Sequence, residues 1–211
     1  MLTIYTIPLS LYCAKLRILL RHKNLEWQEL PPPGGYGSDE YKMIVATGNL
    51  PALLDGDLLL ADGESIAEYL NDKYPVPAML PEDIAQRAKV RELGRFHDTR
   101  LEPALRKLFP YLATNKHDAA LNAAQAIEIN TRLAQMAKLL AAMPACGGLV
   151  LADCGFAVTF AWIDALVDLL GLNISWPQRV VSWRHEIEVL PAVAAELADY
   201  KLKLTDWLAA L

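Results

Sequence analysis

Residues 50–70 read LPALLDGDLLLADGESIAEYL, and this stretch decides the fold. Two short apolar runs, 51–54 and 58–60, flank the turn-forming residues 55–57. This pattern predicts an antiparallel β-hairpin, because an Asp-Gly-Asp turn lets two apolar strands pair side by side. A helix is predicted to begin near Asp62, where polar capping residues precede apolar residues at helical spacing. Its apolar face consists of Ile66, Ala67, Tyr69 and Leu70.

The residues before this hairpin predict a strand, a helix and a second strand. Residues 2–7 are mostly β-branched, aromatic or apolar and stop at Pro8, as a buried strand does. Residues 12–23 place apolar side chains at helical spacing, and residues 25–30 alternate as a strand does. The face of this helix that points away from its apolar stripe is expected to carry Lys15, Arg17 and Arg21. The order β-α-β, loop, β-β-α predicts an α/β domain.

The residues after the hairpin and its helix carry helical patterns alone. Tyr-Pro-Val-Pro at 74–77 ends the helix and predicts a linker, with domains at 1–76 and 82–211. The second domain is predicted to be all-α. Pro103 and Pro110 predict a bend or break in its first helix. One stripe that is expected to be buried consists of Leu121, Ala124, Ile127, Ala134, Met136 and Leu140.

The composition limits the class of protein. With 54% hydrophobic residues the chain has enough material for a buried core, which predicts a folded globular protein. The net charge is -5 and the basic residues are scattered, so nucleic acid is not an expected partner. No apolar run approaches the roughly 18 residues of a spanning helix, and the N-terminus lacks a secretory signal. The expected location is the cytoplasm, with no membrane partner.

The cysteines and histidines lack the spacing of a metal site. Cys13, Cys146 and Cys154 are an odd set without close pairs, which argues against a disulfide framework and against zinc. The histidines are dispersed along the chain, at His22, His97, His117 and His185. We therefore expect reduced thiols and no metal.

Three short stretches carry a specific resemblance. They are SLYCAKLR at 10–17, GNLPAL at 48–53 and DGESIAEYL at 62–70. The first is similar to the serine-containing start of the first helix in the theta, delta, zeta and many bacterial classes of cytosolic glutathione transferase. The GNLPAL stretch is similar to the Leu-Pro turn of that family, and DGESIAEYL resembles its acidic-serine helix start. Together with the order of elements, the resemblance covers essentially the whole chain.

This resemblance implies a thioredoxin-like α/β domain that binds glutathione, followed by an all-α helical bundle domain. It implies a detoxification enzyme, a transferase that joins the thiolate of glutathione to a small hydrophobic electrophile held by the second domain. Glutathione is then a co-substrate, with no further cofactor, and the protein is expected to be a homodimer.

Ser10 is the implied catalytic residue. A thiol with a pKa of about 8.5 is only a few per cent ionised at neutral pH, so its anion needs stabilisation. A hydroxyl donor at a helix N-terminus supplies a charge-assisted hydrogen bond, and the unpaired N–H groups add their field. Lowering the thiol pKa by two units requires about 2.7 kcal/mol. The same serine also suits a simple helix cap, and both interpretations stay open.

Cys13 is the alternative catalytic residue. Some relatives place a cysteine near this point and form a mixed disulfide with glutathione, which would make the protein a thiol oxidoreductase. Cys13 falls on the apolar stripe of its helix, where a free cysteine usually behaves as a small inert hydrophobe. Ser10 is therefore favoured. A further alternative is a glutathione-binding or partner-binding module without turnover.

The Leu-Pro turn is implied to bind the backbone of glutathione. The resemblance makes the bond before Pro51 cis, so that the N–H and C=O of Leu50 face outward and pair with the cysteinyl residue like an added strand. Taken alone, a proline at this place would be interpreted as the start of a strand.

The helix start at Glu64 and Ser65 is implied to hold the γ-glutamyl end. The acidic side chain pairs with the ammonium group, while Ser65 and the backbone N–H groups hold the carboxylate. A capping box with Asp62 is the simpler interpretation. For the glycine carboxylate of glutathione the candidates are Lys42 and Asn49, although Lys42 also suits a solvated surface.

The second-substrate pocket is expected to be bordered by residues of the helical domain. These candidates are His97, Arg100 and Tyr111. Aromatic side chains at such positions are more often core residues, so a packing role competes with this assignment. Asp153 is predicted to cap a buried helix, with Val150 where the family has serine or threonine, and it is not expected to be a catalytic acid.

Overall fold

The structure is a computed structural model that describes residues 1–143 and 146–211. The chain divides into two units, Met1–Met79 and Leu80–Leu211. The division lies two residues after the Tyr-Pro-Val-Pro segment at 74–77.

The first unit is a four-stranded mixed sheet with three helices. Strand β1 (Leu2–Tyr5) pairs in parallel with β2 (Trp27–Leu30) and antiparallel with β3 (Ala52–Asp55). Strand β4 (Leu58–Leu60) pairs antiparallel with β3, which gives the order β2-β1-β3-β4. This thioredoxin-like arrangement and the hairpin β3–β4 confirm the prediction. The helices of this unit are α1 Leu11–His22, α2 Asp39–Ile44 and α3 Gly63–Lys73.

The core of the first unit lies on the sheet and on the inner faces of α1 and α3. Ile4 of β1 lies opposite Leu53 of β3, and both side chains are fully buried. On α3, three of the four predicted core positions are buried, whereas Tyr69 is partly exposed and donates from its hydroxyl to Asp55 Oδ2 over 2.8 Å. Burial of apolar side chains from both layers holds the helices on the sheet.

Helix α1 has buried cations that the sequence pattern placed away from the core. Lys15 and Arg17 on the helix, and Lys23 at its C-cap, are each less than a tenth exposed. A buried charge is tolerated only with partners, and each of the three has them. The contacts are Lys15 with Glu64 at 2.6 Å, Arg17 with Glu29 at 3.5 Å, and Lys23 with the carbonyls of Tyr74 at 2.7 Å and Pro77 at 2.8 Å.

The second unit is helical throughout the residues described, which confirms the predicted all-α domain. The break predicted near Pro103 is a π-helical turn, His97–Leu101, directly before the short helix that contains this proline. Proline has no N–H to donate to the preceding turn, so the regular ladder is interrupted there. The α-helices are α4 Ile84–Phe96, α5 Glu102–Arg106, α6 Ala119–Ala141, α7 Asp153–Leu170, α8 Gln178–Glu188 and α9 Pro191–Ala209.

The predicted buried stripe of α6 is wrong at four of its six positions. Of its six residues only Met136 and Leu140 are buried, and Ile127 is 68% exposed. The helix is rich in alanine, and Asn122 and Gln125 lie on its buried face, so the apolar pattern does not mark that face clearly. The buried residues are Asn122, Gln125, Ala126, Ile129, Leu133, Met136 and Leu140.

Candidate glutathione site

The three stretches identified in the sequence are neighbours in the first unit. Lys15 of α1 forms an ion pair with Glu64 at the start of α3. That start also approaches the Leu-Pro turn, because a Cβ atom added at Gly63 would lie 3.9 Å from Cδ of Pro51. The beginning of α1, the turn before β3 and the beginning of α3 therefore converge.

Ser10 is the N-cap of α1. Its side-chain oxygen accepts a hydrogen bond from the N–H of Cys13 at 3.3 Å, and the residue is partly exposed. Capping uses a lone pair of the hydroxyl and leaves its single hydrogen for another acceptor, such as a sulfur anion. The first turn of α1 carries no acidic residue that would oppose the positive end of the helix dipole. Capping and thiolate stabilisation are therefore compatible in one residue.

Cys13 lies in the core beneath this position. Its side chain is fully buried in a cluster with Tyr41, Val45, Leu50 and Ala52. Burial raises the pKa of the Cys13 thiol, and this outweighs the lowering effect of the Ser10 hydrogen bond. A nucleophilic cysteine needs a lowered pKa and access to its substrate, and Cys13 has neither.

The three cysteines differ in exposure, and this predicts their reactivity. Cys146 is partly exposed, whereas Cys13 and Cys154 are 0% and 1% exposed. Iodoacetamide added to the native protein is expected to alkylate Cys146 about tenfold faster or more than the two buried thiols. Peptide mass spectrometry measures the three rates, and unfolding in urea is the control that makes all three react. Equal rates at Cys13 and Cys146 in the native protein would revive Cys13 as a working residue.

The Leu-Pro turn presents its backbone at the same place. The Leu50–Pro51 peptide bond is cis, as the resemblance implied, and the Leu50 side chain is 8% exposed. Within the described residues, neither the N–H nor the C=O of Leu50 has a hydrogen-bond partner. Both groups therefore remain for an extended ligand to pair with.

Tyr41 supports this turn and was not predicted from the sequence. Its side chain is fully buried, and its hydroxyl donates to the carbonyl of Asn49 at 2.9 Å. Burial raises the pKa of Tyr41, so the hydroxyl keeps its proton and stays a donor. The signal available in the sequence was an aromatic residue inside a short polar helix, Asp39–Ile44.

The start of α3 combines a cap with an anion-binding end. Asp62 Oδ1 accepts both the N–H of Ser65 at 2.8 Å and its hydroxyl at 2.9 Å. The simpler capping interpretation therefore applies to this pair. The N–H groups of Gly63 and Glu64 lie in the first turn, where a helix provides no acceptor of its own. They are the donors that a carboxylate would meet, with Ser65 joining them once its hydroxyl rotates.

Lys42 and Asn49, the candidates for the glycine carboxylate, are both exposed. Lys42 pairs loosely with Asp39 at 3.7 Å, and the backbone N–H of Asn49 donates to Thr47 Oγ1 at 3.4 Å. These contacts lie within the loop and helix around α2 and leave both side-chain ends accessible.

His97 is placed inside the helical unit, and its assignment to a pocket wall is corrected. The ring is 0% exposed, with Nδ1 2.7 Å from Asp98 Oδ1 and Nε2 2.7 Å from Thr159 Oγ1. A ring with no exposed surface packs the helices and cannot contact a substrate there. Arg100 and Tyr111 are exposed.

Asp153 acts at the start of α7. Its carboxylate accepts the N–H of Val150 at 2.8 Å, and Val150 has no hydroxyl to return the bond. The residue is 4% exposed, and burial raises the pKa of Asp153 to about 7. Its role is structural.

The described residues contain neither a metal-binding cluster nor a membrane-spanning helix. Among residues 1–143 and 146–211, no group of three or more His, Cys, Asp or Glu side chains is arranged to hold a metal ion. In the same part of the chain, no helix combines the length and apolarity required to span a membrane.

The first unit has a thioredoxin-like sheet and a serine-capped first helix, and a helical unit follows it. This arrangement is typical of the glutathione transferase fold. Residues 4–78 match the family described as the glutathione S-transferase N-terminal domain. This part of the chain is therefore similar to the N-terminal domain of glutathione S-transferases.

Individual proteins show the same similarity. Glutathione S-transferase Z2 of Arabidopsis thaliana is 38% identical over 94 residues, which cover 40% of this chain and 42% of that protein. The chain thus spans about two fifths of the length of the curated relatives that it matches. A bacterial maleyl pyruvate isomerase of the zeta class is 25% identical, with 92% of this chain and 95% of that one covered at a TM-score of 0.72. A delta-class glutathione transferase of Nilaparvata lugens shares the fold at 19% identity and a TM-score of 0.83, over 100% and 99% of the two chains.

Proposed function

We propose that this protein is a glutathione transferase that ionises the thiol of bound glutathione beside Ser10 and directs the sulfur to a small hydrophobic electrophile. The observation that carries the proposal is the position of Ser10. It caps the first helix of a domain similar to the glutathione S-transferase N-terminal domain with its oxygen, and this cap does not use its hydroxyl hydrogen, which we assign to the sulfur of glutathione.

The chemistry requires stabilisation of an anion. The thiol of glutathione loses its proton to solvent, and Ser10 donates to the resulting thiolate while the N-terminal end of α1 contributes its dipole. A hydrogen bond to a charged group contributes roughly 1.5–3 kcal/mol, which corresponds to about one to two units of thiol pKa. The sulfur then forms a bond to the electrophilic carbon, and the leaving group departs with the bonding electron pair.

The tripeptide is held at three points in this proposal. The backbone of Leu50, shaped by Pro51, pairs with the cysteinyl residue. Glu64 pairs with the γ-glutamyl ammonium group, and the first-turn N–H groups with Ser65 hold its carboxylate. The candidates for the glycine carboxylate remain Lys42 and Asn49.

The second substrate is assigned to the helical unit, where Arg100 and Tyr111 remain the candidates. Similarity to a bacterial maleyl pyruvate isomerase over nearly the whole chain favours one second activity. In a glutathione-dependent isomerisation, the thiolate adds to one carbon of a carbon–carbon double bond, and the π electron pair moves onto the conjugated carbonyl group. The resulting single bond rotates, and the displaced pair re-forms the double bond as the sulfur leaves with its own electron pair. Glutathione is regenerated, so the same thiolate site serves both reactions.

Two coarser properties complete the proposal. Three cysteines without a disulfide fit a reducing compartment, and we assign the protein to the cytoplasm. We also propose that the protein is a homodimer, as the family resemblance implies.

Calorimetry and turnover assays test this proposal. Titration with millimolar glutathione is expected to show binding, and a dinitrophenyl halide is expected to be conjugated with loss of halide. Maleyl pyruvate is expected to be isomerised without consumption of glutathione if the second activity is present. Absence of glutathione binding would refute the proposed function. Glutathione binding without any turnover would identify the protein as a non-enzymatic binding module. Reduction of mixed disulfides that is lost when Cys13 is replaced would identify it as an oxidoreductase.

A further inference from the structure

The ion pair between Lys15 and Glu64 joins two of the three segments that form the candidate site. The ammonium nitrogen of Lys15 lies 2.6 Å from Oε2 of Glu64, although the residues are 49 positions apart in the chain. Lys15 is five residues after Ser10 on α1, and Glu64 is in the first turn of α3. The pair therefore fixes Glu64, the proposed binding residue for the γ-glutamyl group, relative to α1, which carries the proposed catalytic residue Ser10.

Burial makes this pair different from an exposed salt bridge. The side chains of Lys15 and Glu64 are 5% and 16% exposed. An exposed pair is weakened by water and salt, whereas a pair largely removed from water holds its geometry. Glu64 is thus restricted to one orientation before any ligand arrives, and the entropy of ordering it is not lost again on binding.

The pair leaves one oxygen of Glu64 for a ligand. Oε2 is occupied by Lys15, and Oε1 has no hydrogen-bond partner among the described residues. A carboxylate offers acceptor sites on both oxygens, so Oε1 remains for an ammonium donor. Lys15 therefore decides which oxygen of Glu64 is presented.

The pair also sets the charge of the site. Glu64 alone would attract any cation and repel the carboxylate that accompanies the γ-glutamyl ammonium group. Lys15 balances the charge of Glu64 itself, so that a positive and a negative group stand next to each other at the start of α3. That arrangement matches the zwitterionic amino acid end of the tripeptide.

We propose that Lys15 is a positioning residue that orients Glu64 and thereby makes the site selective for thiol peptides with a free α-amino group. The inference rests on the proposed glutathione site and deepens it. Lys15 acts through Glu64, so its effect is expected on discrimination between ligands more than on the thiol.

The experiment compares glutathione with its des-amino analogue, glutaryl-cysteinylglycine, by calorimetry. The wild-type protein is expected to bind glutathione about tenfold more tightly or better, because the analogue lacks the charged donor for Glu64. In Lys15→Met this preference is expected to fall by about fivefold or more, and Lys15→Arg is expected to restore most of it, since it keeps a cation of similar reach. Glu64→Gln is expected to remove the preference whether or not Lys15 is present.

Arg17→Met is the matched control, because Arg17 is a buried cation of the same helix that pairs with Glu29 instead. It is expected to lower the thermal midpoint and leave the preference between the two peptides unchanged. Lys15→Gln replaces Lys15→Met should the latter not fold.

The outcomes separate this inference from the proposed function. A wild-type protein that binds neither peptide would refute both. A wild-type protein that binds both peptides equally, or a Lys15→Met variant with an unchanged or larger preference, would refute the role of Lys15 and leave the glutathione site standing.

Discussion

Replacement of Ser10 by alanine is expected to lower kcat/KM for glutathione conjugation roughly 10- to 100-fold near neutral pH. The variant loses the hydroxyl donor, so the pKa of the bound thiol rises and less thiolate is present at a given pH. The acidic limb of the pH profile of kcat/KM should therefore move to higher pH, and the loss should shrink as the pH is raised above the thiol pKa. Thiolate absorbance in the ultraviolet, followed against pH with bound glutathione, checks this shift directly.

Controls for the Ser10 variant separate capping from chemistry. Ser10→Ala also removes the bond from the Cys13 N–H, which costs about 1 kcal/mol of stability. Asp83→Ala removes a comparable cap, since Asp83 Oδ1 accepts the N–H of Gln86 at 2.8 Å, and should lower stability without moving the pH profile. Ser10→Thr retains the hydroxyl and should retain activity. Full activity of Ser10→Ala together with an inactive Cys13→Ala would reverse the assignment.

The substitution Gly155→Ala is expected to lower the free energy of unfolding by about 2–4 kcal/mol. A Cβ atom at this position would lie 2.6 Å from Cε1 and 2.8 Å from Nδ1 of His97. The His97 ring cannot move aside freely, because it is fully buried and hydrogen-bonded to Asp98 and Thr159. It also packs edge-on against the ring of Phe156, with 4.9 Å between the two ring centroids. Urea denaturation followed by circular dichroism measures the change.

Gly148→Ala is the matched control for this overpacking. A Cβ atom there would meet no atom of residues 1–143 and 146–211 within 4 Å, and the backbone of Gly148 does not adopt a positive φ. Its effect should stay within about 0.5 kcal/mol. A Gly155→Ala protein as stable as the wild type would show that the helices around His97 are packed more loosely than its close contacts indicate.

The order of elements could be predicted from the sequence because it depends on local chemistry. The Asp-Gly-Asp turn between two apolar runs is a strong hairpin signal, and the structure has β3 and β4 there. Polar residues before an apolar helical pattern likewise located α3. In alanine-rich α6 the local pattern was weak, and tertiary packing decided which face is buried.

The residues of the candidate site could be named from the sequence, but the contacts between them could not. Helical spacing predicted Lys15 on the face away from the apolar stripe, but the residue is buried and pairs with Glu64 on another helix, 49 positions later. Periodicity carries no information about such a pair. For the same reason the support of Tyr41 for the Leu-Pro turn and the burial of His97 appeared only in three dimensions.

The anchored cations of α1 fix the length of this helix. Lys15 is tied near its beginning and Lys23 at its C-cap, each to a different partner. An insertion or deletion of one residue between them would rotate the following side chains by about 100° and shift them by about 1.5 Å along the axis. Substitutions on the outer surface leave these anchors in place, whereas any change in residue count would detach one of them. Related chains are therefore expected to differ in the residue types of this helix and not in the number of its residues.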